Sequence, residues 1–371
     1  MTFSLNRRHL LKGAGLASAI TAFPNLAFAS APVDQRLVFI IQRGAADGLA
    51  IVPPIGDRNL QSLRGAIADR EAMPLDGIFG LHSALAETRK LFDRGEARAV
   101  HAVATNYGGR SHFDGQNVLE SGGARPYAEP TGWVGRLRDV LPQQTGDALA
   151  IAAAVPLAMR GSQTVATYSP NRLPDANEDL LLRLTDLYNE DPLLAPIWSE
   201  AIKTKDLAGD LAGNNGRNGA QLGELAARLM VPENGARMMM IETGGWDTHS
   251  NQAGRLNGQL RGLDNLLLGL KNGLGDVWSN TLVIIATEFG RTAAVNGTQG
   301  TDHGTASAML MLGGNLANGP MVQADWPGLD KDALFEERDL KPTTSFADVV
   351  SEAVARHYSI DVRKLSGLFA G

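Results

Sequence analysis

Leu37-Val38-Phe39-Ile40-Ile41, followed by Gln42-Arg43-Gly44-Ala45-Ala46-Asp47-Gly48, decides how the chain is read. Successive side chains of a strand point to opposite faces, so an unbroken apolar run suits a strand buried on both. Such strands belong inside parallel sheets whose two faces are covered by helices. The polar, glycine-flanked turn after the run falls at the carboxyl end of that strand. Ligands of open α/β sheets bind there.

Five further runs repeat the pattern. They are 97–103, 148–155 (less β-branched), Met238-Met239-Met240-Ile241, Leu282-Val283-Ile284-Ile285-Ala286 and Ala308-Met309-Leu310-Met311-Leu312. Helix candidates lie between and after them: 83 to about 93 with Ser83 as cap, 133–140, 178–188, 220–229, 251–274 and 346–358. The longest carries Leu256, Leu260, Leu263, Leu266 and Leu267 at helical spacing. Alternation of this kind predicts an α/β fold, doubly wound, with a mainly parallel sheet and helices on both faces. Residues 209–219 are rich in Gly and Asn and read as loop. The helical stretch before them reads as an insertion over the sheet. The expectation is one domain over 30–371 with a helical insertion at about 178–219, and no internal repeat.

The totals narrow the classes. The 371 residues include no cysteine, which excludes a disulfide scaffold, a thiolate metal site and a cysteine enzyme. A formal charge of −6 argues against broad electrostatic binding of nucleic acid, although net charge says nothing of local patches. The first 29 residues distort the charge. Arg7-Arg8-His9-Leu10-Leu11-Lys12 precedes a modest apolar run from Gly13 to Phe23 and ends at Ala27-Phe28-Ala29. Paired arginines, a weakly apolar core and an A-x-A site have the form of a twin-arginine export signal. An ordinary secretory signal or an amphipathic helix are the alternatives. Cleavage after Ala29 removes Arg7, Arg8 and Lys12 and no acid, so the mature chain is more acidic than the total implies. The expected location is periplasmic or otherwise exported. The apolar run is too short to span a bilayer, and no later segment is long and apolar enough for a stable membrane span.

Acids and imidazoles gather after the predicted strands, in segments far apart in the chain. They are Gly109-Arg110-Ser111-His112-Phe113-Asp114, Gly244-Gly245-Trp246-Asp247-Thr248-His249, Glu288-Phe289-Gly290-Arg291-Thr292 and Thr301-Asp302-His303-Gly304. Imidazole with carboxylate suits zinc or manganese; carboxylate alone suits magnesium or calcium. His249 and His303 each sit beside an acid, where ligand and structural roles are evenly matched. His112 is equally readable as an exposed first-turn residue. His82 and His357 flank helices and His101 lies inside a strand, all structural positions. Ser111 to Asp114 has the S-x-x-D form of a helix cap. The same position suits a nucleophile facing the anion-binding end of a helix, with Arg110 beside it. Glu288 reads as a ligand or as half of a surface ion pair, and Asp47 as a ligand or a turn residue. Asp114, Glu120 and Glu242 are weaker candidates. Gly13-Ala14-Gly15 lacks the strand that a dinucleotide motif requires.

With Arg43-Gly44-Ala45-Ala46-Asp47-Gly48, these segments make the chain resemble the domain-of-unknown-function 1501 (DUF1501) family of exported bacterial proteins. The family is grouped by similarity with the alkaline phosphatase and sulfatase superfamily, so the resemblance implies an alkaline-phosphatase-like fold. It implies divalent metal (Zn, Mn, Mg or Ca), metal-binding roles for Asp47, Asp247 and His303, and a nucleophile at Ser111. Glu288 would replace the superfamily's Asp, and Phe289 stands where a metal-binding His is usual. The expectation is therefore one metal held by Asp247, His249 and His303, with His112 assigned to a second site. Arg110 or Arg291 would neutralise the anion. The implied function is metal-dependent hydrolysis of a phosphate or sulfate ester, a small anionic substrate. The alternatives are a non-catalytic binding or assembly protein, paired with another exported protein of the domain-of-unknown-function 1800 family, and a purely structural surface protein. Export implies the twin-arginine machinery as a partner. Ser169-Pro170-Asn171-Arg172 lacks the residue that a sulfatase modification site carries between its Ser or Cys and its Pro.

Overall fold

The opening apolar run becomes strand β1, Arg36–Gln42, with all of its residues buried. It pairs in parallel with β7, Met238–Thr243, on one side and with β8, Thr281–Ala286, on the other. The register sets Phe39 opposite both Met240 and Ile284. This is the centre of the sheet in the computed structural model, which describes residues 34–141, 148–169, 184–185, 187–188, 191–199, 201, 218–316 and 318–370. The predicted signal and most of the predicted insertion lie outside those residues.

The remaining strands are β2 (Met73–Pro74), β3 (Gly80–Leu81), β4 (Ala97–Ala104), β5 (Ala148–Ile151), β6 (Ala166–Thr167), β9 (Ser307–Leu312), β10 (Val322–Gln323) and β11 (Thr344–Ser345). Strands β2 and β3 form a small antiparallel ribbon. The others join β1, β7 and β8 in one sheet of order β10-β4-β9-β8-β1-β7-β5-β6, with β11 pairing β4. All six predicted strands are present, and β5 ends at Ile151 rather than at 155. Pairing is parallel throughout except at β9, which runs antiparallel to both β4 and β8. The reversal places the amino end of β9 at the same edge as the carboxyl ends of β1, β4, β7 and β8. Segments that precede β9 therefore meet segments that follow the other four.

Helices cover both faces. Val38 and Ile40 of β1 share a core with leucines of two long helices, α6 (Gly219–Met230) and α7 (Gln252–Leu274), and with α3 (Ala86–Asp93). Phe39 points the other way, to Trp133 of α5 (Trp133–Val140), ring centroids 5.1 Å apart. Trp133 packs in turn on Phe346 of α8 (Phe346–His357). Two short helices, α1 (Gly48–Ile51) and α2 (Leu60–Arg64), and α4 (His112–Ser121) also pack in this region of the described residues. Helices α6 and α7 lie almost backbone to backbone: a Cβ on Gly223 would fall 2.1 Å from the Leu266 carbonyl oxygen. The predicted Ser83 cap is not formed. Helix α3 starts later, after Leu85, and the Glu87 and Thr88 N–H groups donate instead to Asp264 of α7 (3.0 and 2.8 Å). Among the described residues, no helix is long and apolar enough to cross a membrane.

Candidate metal centre

Four loops meet at the edge defined by the reversal of β9. His112 begins α4, after β4; Asp247 and His249 follow β7; Glu288 and Arg291 follow β8; His303 precedes β9. The β8 and β9 loops touch through their backbones, bridged at Arg291 and His303. A Cβ on Gly290 would lie 1.7 Å from the Ala306 carbonyl oxygen, so only glycine permits this approach.

His112, Asp247 and His303 each offer a ligand atom, all within 4.8 Å of one another. The His112 Nε2 lies 3.5 Å from Asp247 Oδ2, and the His303 Nε2 lies 3.4 Å from Asp247 Oδ1. Both rings are held by the opposite nitrogen. His112 donates from Nδ1 to Glu288 Oε1 (2.7 Å), and His303 donates from Nδ1 to the Arg110 carbonyl (2.9 Å). The acceptors carry no hydrogen, so the proton belongs on each Nδ1. In the neutral rings each Nε2 then carries a lone pair, which is the arrangement of metal-binding histidines oriented by outer partners. The His112 Nε2 is buried and has no hydrogen-bond partner. A buried nitrogen without a partner costs free energy unless something else satisfies it. This atom and its two neighbours fit a divalent cation.

His249 flanks the group on the solvent side. Its Nε2 is 2.9 Å from Asp247 Oδ1 and 3.0 Å from His303 Nε2, and its Nδ1 is 3.2 Å from Asp302. Phe289, which cannot ligate, forms an apolar wall, with its ring 5.1 Å from that of His112 and 5.3 Å from that of His303. Electrostatics favour charge here. Burial raises the Asp247 carboxyl, but the Arg291 hydrogen bond and charge outweigh it and hold the carboxyl below its ordinary range. The Glu288 hydrogen bond raises His112, whereas burial lowers His303.

The other expected site residues have the following partners. Asp47 is fully buried in an ion pair with Arg64, is further bonded by Gln252, and is not one of the three converging ligands. Glu288 lies behind the His112 ring. It accepts from His112, from the Gly44 N–H (2.9 Å), from Gln116 (3.0 Å) and from the Thr287 hydroxyl (2.9 Å). Arg291 is buried, and its donors go to the Ala45, Thr301 and Gly44 carbonyls (2.8, 2.9 and 2.7 Å) and to Asp247. Arg110 donates to Asp339 (2.7 Å) and Glu336 (2.6 Å). The Arg291 guanidinium is enclosed by these acceptors, whereas Arg110 is partly exposed; each touches the centre, one through a carboxylate and the other through a carbonyl. His112 lies with Asp247 and His303 in the converging group. Ser111 takes the extended backbone of a cap before α4, but its side chain makes no capping bond. Glu120 and Glu242 both pair with Arg43 (2.8 and 2.6 Å). His101 and His357 bond the Val52 and Arg36 carbonyls, the structural roles expected of them.

Tyr107 is a residue that the sequence reading passed over. Its hydroxyl accepts the Ser111 N–H at 3.1 Å and lies 3.5 Å from Asp114 Oδ2. The aromatic residue two places before Gly109, after a strand, is the signal that would have marked it.

Comparison with known structures returns several similar folds. A mutant alkaline phosphatase of the Antarctic bacterium TAB5, with Mg bound in its M3 site, is 11% identical at a TM-score of 0.39, over 88% of this chain and 98% of that one. The C-terminal periplasmic domain of EcEptC from Escherichia coli, in complex with Zn, is 9% identical at 0.39, over 75% and 73%. At such values no residue role is transferred from them. No curated protein matches the chain. A family model described as "Protein of unknown function (DUF1501)" matches residues 98–368, and the chain therefore belongs to the DUF1501 family.

Proposed function

We propose that the protein is an exported, divalent-metal-dependent hydrolase of a phosphate or sulfate ester, with Ser111 as its nucleophile. One observation carries this: two imidazole Nε2 atoms and a carboxylate converge, and the buried Nε2 of His112 has no other partner. Two imidazoles with one carboxylate favour zinc or manganese over magnesium or calcium. A bound ion would supply Lewis acidity for the ester oxygens. Glu288 and the Arg110 carbonyl hold the two rings in the ligating orientation. Phe289 keeps water from one side of the group. The Ser111 hydroxyl, spared from capping, stands one residue before His112 at the amino end of α4, where the helix dipole favours an anion. Attack by its oxygen on phosphorus or sulfur would release the alcohol, and water would then free the serine.

The test is metal analysis of the mature protein, wild type beside Asp247→Ala and His303→Ala, with turnover of p-nitrophenyl phosphate and p-nitrophenyl sulfate. Bound metal lost in both variants, and turnover lost in Ser111→Ala, are expected. Metal-free wild type with turnover unchanged in Ser111→Ala would sink the proposal. Export by the twin-arginine route is tested with Arg7→Lys and Arg8→Lys together, which should hold the precursor in the cytoplasm.

A second reading is a binding or assembly protein on the same fold. It is favoured by Arg291, whose buried guanidinium group is already committed to protein acceptors. A stable complex with another exported protein, purified without ester turnover, would support it.

A further inference from the structure

A line of rings leads from the candidate centre to solvent. His112 stacks on Phe289, and the Phe289 ring lies 6.5 Å from that of Tyr107. The Tyr107 hydroxyl approaches Asp114, and the nearby Asp114 carboxylate raises the Tyr127 phenol. Two rings in the segments beside this line are exposed. Phe113, in the first turn of α4 beside His112, is 81% exposed, and Tyr127 is 67% exposed. An exposed phenylalanine adds little to the core, and apolar surface gathered beside a polar centre is available to a ligand.

The backbone is shaped to hold the rings there. Tyr127 has φ +60°, a left-handed conformation that a bulky residue adopts at a cost. Its N–H donates to Asn117 Oδ1 at 2.7 Å. Asn117 lies one helical turn beyond Phe113, on the same face of α4. The strained turn thus brings Tyr127 to the face that displays Phe113. A Cβ on Gly109 would fall 2.4 Å from the Tyr107 hydroxyl, so glycine is what lets that ring fold back over the turn before Ser111.

We infer that Tyr107, Phe113 and Tyr127 form a specificity rim that selects ligands whose anionic group carries an uncharged aromatic ring. The inference rests on the preceding reading, in which the centre takes the anion. Ring stacking would supply the selectivity. The Asp114 carboxylate, placed between the tyrosines, disfavours a second negative charge on that part of the ligand.

Calorimetry on the zinc-loaded protein, with phenylphosphonate and methylphosphonate as probes that resist hydrolysis, tests it. Wild type should bind phenylphosphonate about three- to tenfold more tightly. Phe113→Ala and Tyr127→Gly should each reduce that preference while leaving methylphosphonate affinity unchanged. Glycine tolerates φ +60°, so the second variant should fold without penalty. Equal affinities in wild type, binding of neither probe, or a preference intact in both variants overturns the inference. Turnover of p-nitrophenyl phosphate is read separately. Selective binding without turnover upholds the rim and overturns the hydrolase; turnover without selectivity does the reverse.

Discussion

Glu288 grips His112 by Nδ1 at 2.7 Å and leaves its Nε2 with no hydrogen-bond partner. A carboxylate behind a metal-binding imidazole fixes its tautomer and makes it a better ligand. Glu288→Gln keeps the shape of the side chain but weakens the acceptor and removes the charge. It should weaken zinc affinity about 10- to 100-fold without abolishing it. His112→Ala should lose the metal outright. Competition with a chelator measures both. Equal affinities in wild type and Glu288→Gln would show that His112 is not a ligand.

Asp47 pairs with Arg64 away from the converging group and is expected to act as a structural carboxylate. Its pairing with Arg64 is buried, so Asp47→Asn would leave a buried guanidinium uncompensated. The expected cost is about 3–5 kcal/mol in urea denaturation, with metal content per folded molecule unchanged. Loss of metal with unchanged stability would return Asp47 to the ligand set.

Much of the sheet was legible in the sequence, because dense apolar runs mark buried strands whichever way they run. That same fact hid the direction of β9. An apolar run has no polarity, so nothing in Ala308-Met309-Leu310-Met311-Leu312 says that it opposes its neighbours. The candidate loops were found because polar, glycine-flanked segments follow the runs. Partners within them were not, since proximity to a loop does not say which charges meet. His112 does open its helix, but its place beside Asp247 and His303 was not legible because Glu288, which orients it, follows a different strand. Arg291 and Arg110 were read as anion binders because acceptors such as the Gly44 carbonyl, and the folding that brings Asp339 to Arg110, leave no trace in composition or spacing.

Arg291 offers a sharper contrast between binding a substrate and holding the site. Its buried guanidinium satisfies the Ala45, Gly44 and Thr301 carbonyls and Asp247 at once. Arg291→Leu should cost about 3–5 kcal/mol, because it strands Asp247 beside unpaired carbonyls. Arg291→Lys keeps the charge but not the fork, and should cost less while still lowering metal affinity through a displaced Asp247. Chemical denaturation reads the first effect and metal titration the second. A substrate-binding arginine would behave oppositely, raising KM with little change in stability.

Acid should weaken the fold before its carboxylates titrate, and two histidines away from the centre give the reason. Burial depresses both His101 and His357 to about 4, against the weaker opposing pull of backbone hydrogen bonds. Each ring donates its Nε2–H to a carbonyl, Val52 for one and Arg36 for the other, as a neutral imidazole can. The unfolded chain takes up these protons near 6.5. A depressed folded value means that the stability is fully present above 6.5 and is lost as pH falls towards 4. At pH 4.5 each histidine should have cost about 2–3 kcal/mol relative to pH 7. Asp247, Glu288 and Asp302 are held below their ordinary ranges, so their contribution is lost at still lower pH and leaves this window largely to the histidines. His357→Gln retains an N–H for the Arg36 carbonyl but cannot titrate. Its stability, followed by urea denaturation from pH 7 to 4.5, should fall less than that of wild type by about 2–3 kcal/mol. Parallel curves for the two proteins would mean that His357 is protonated in the folded state and that its burial does not set the acid limit.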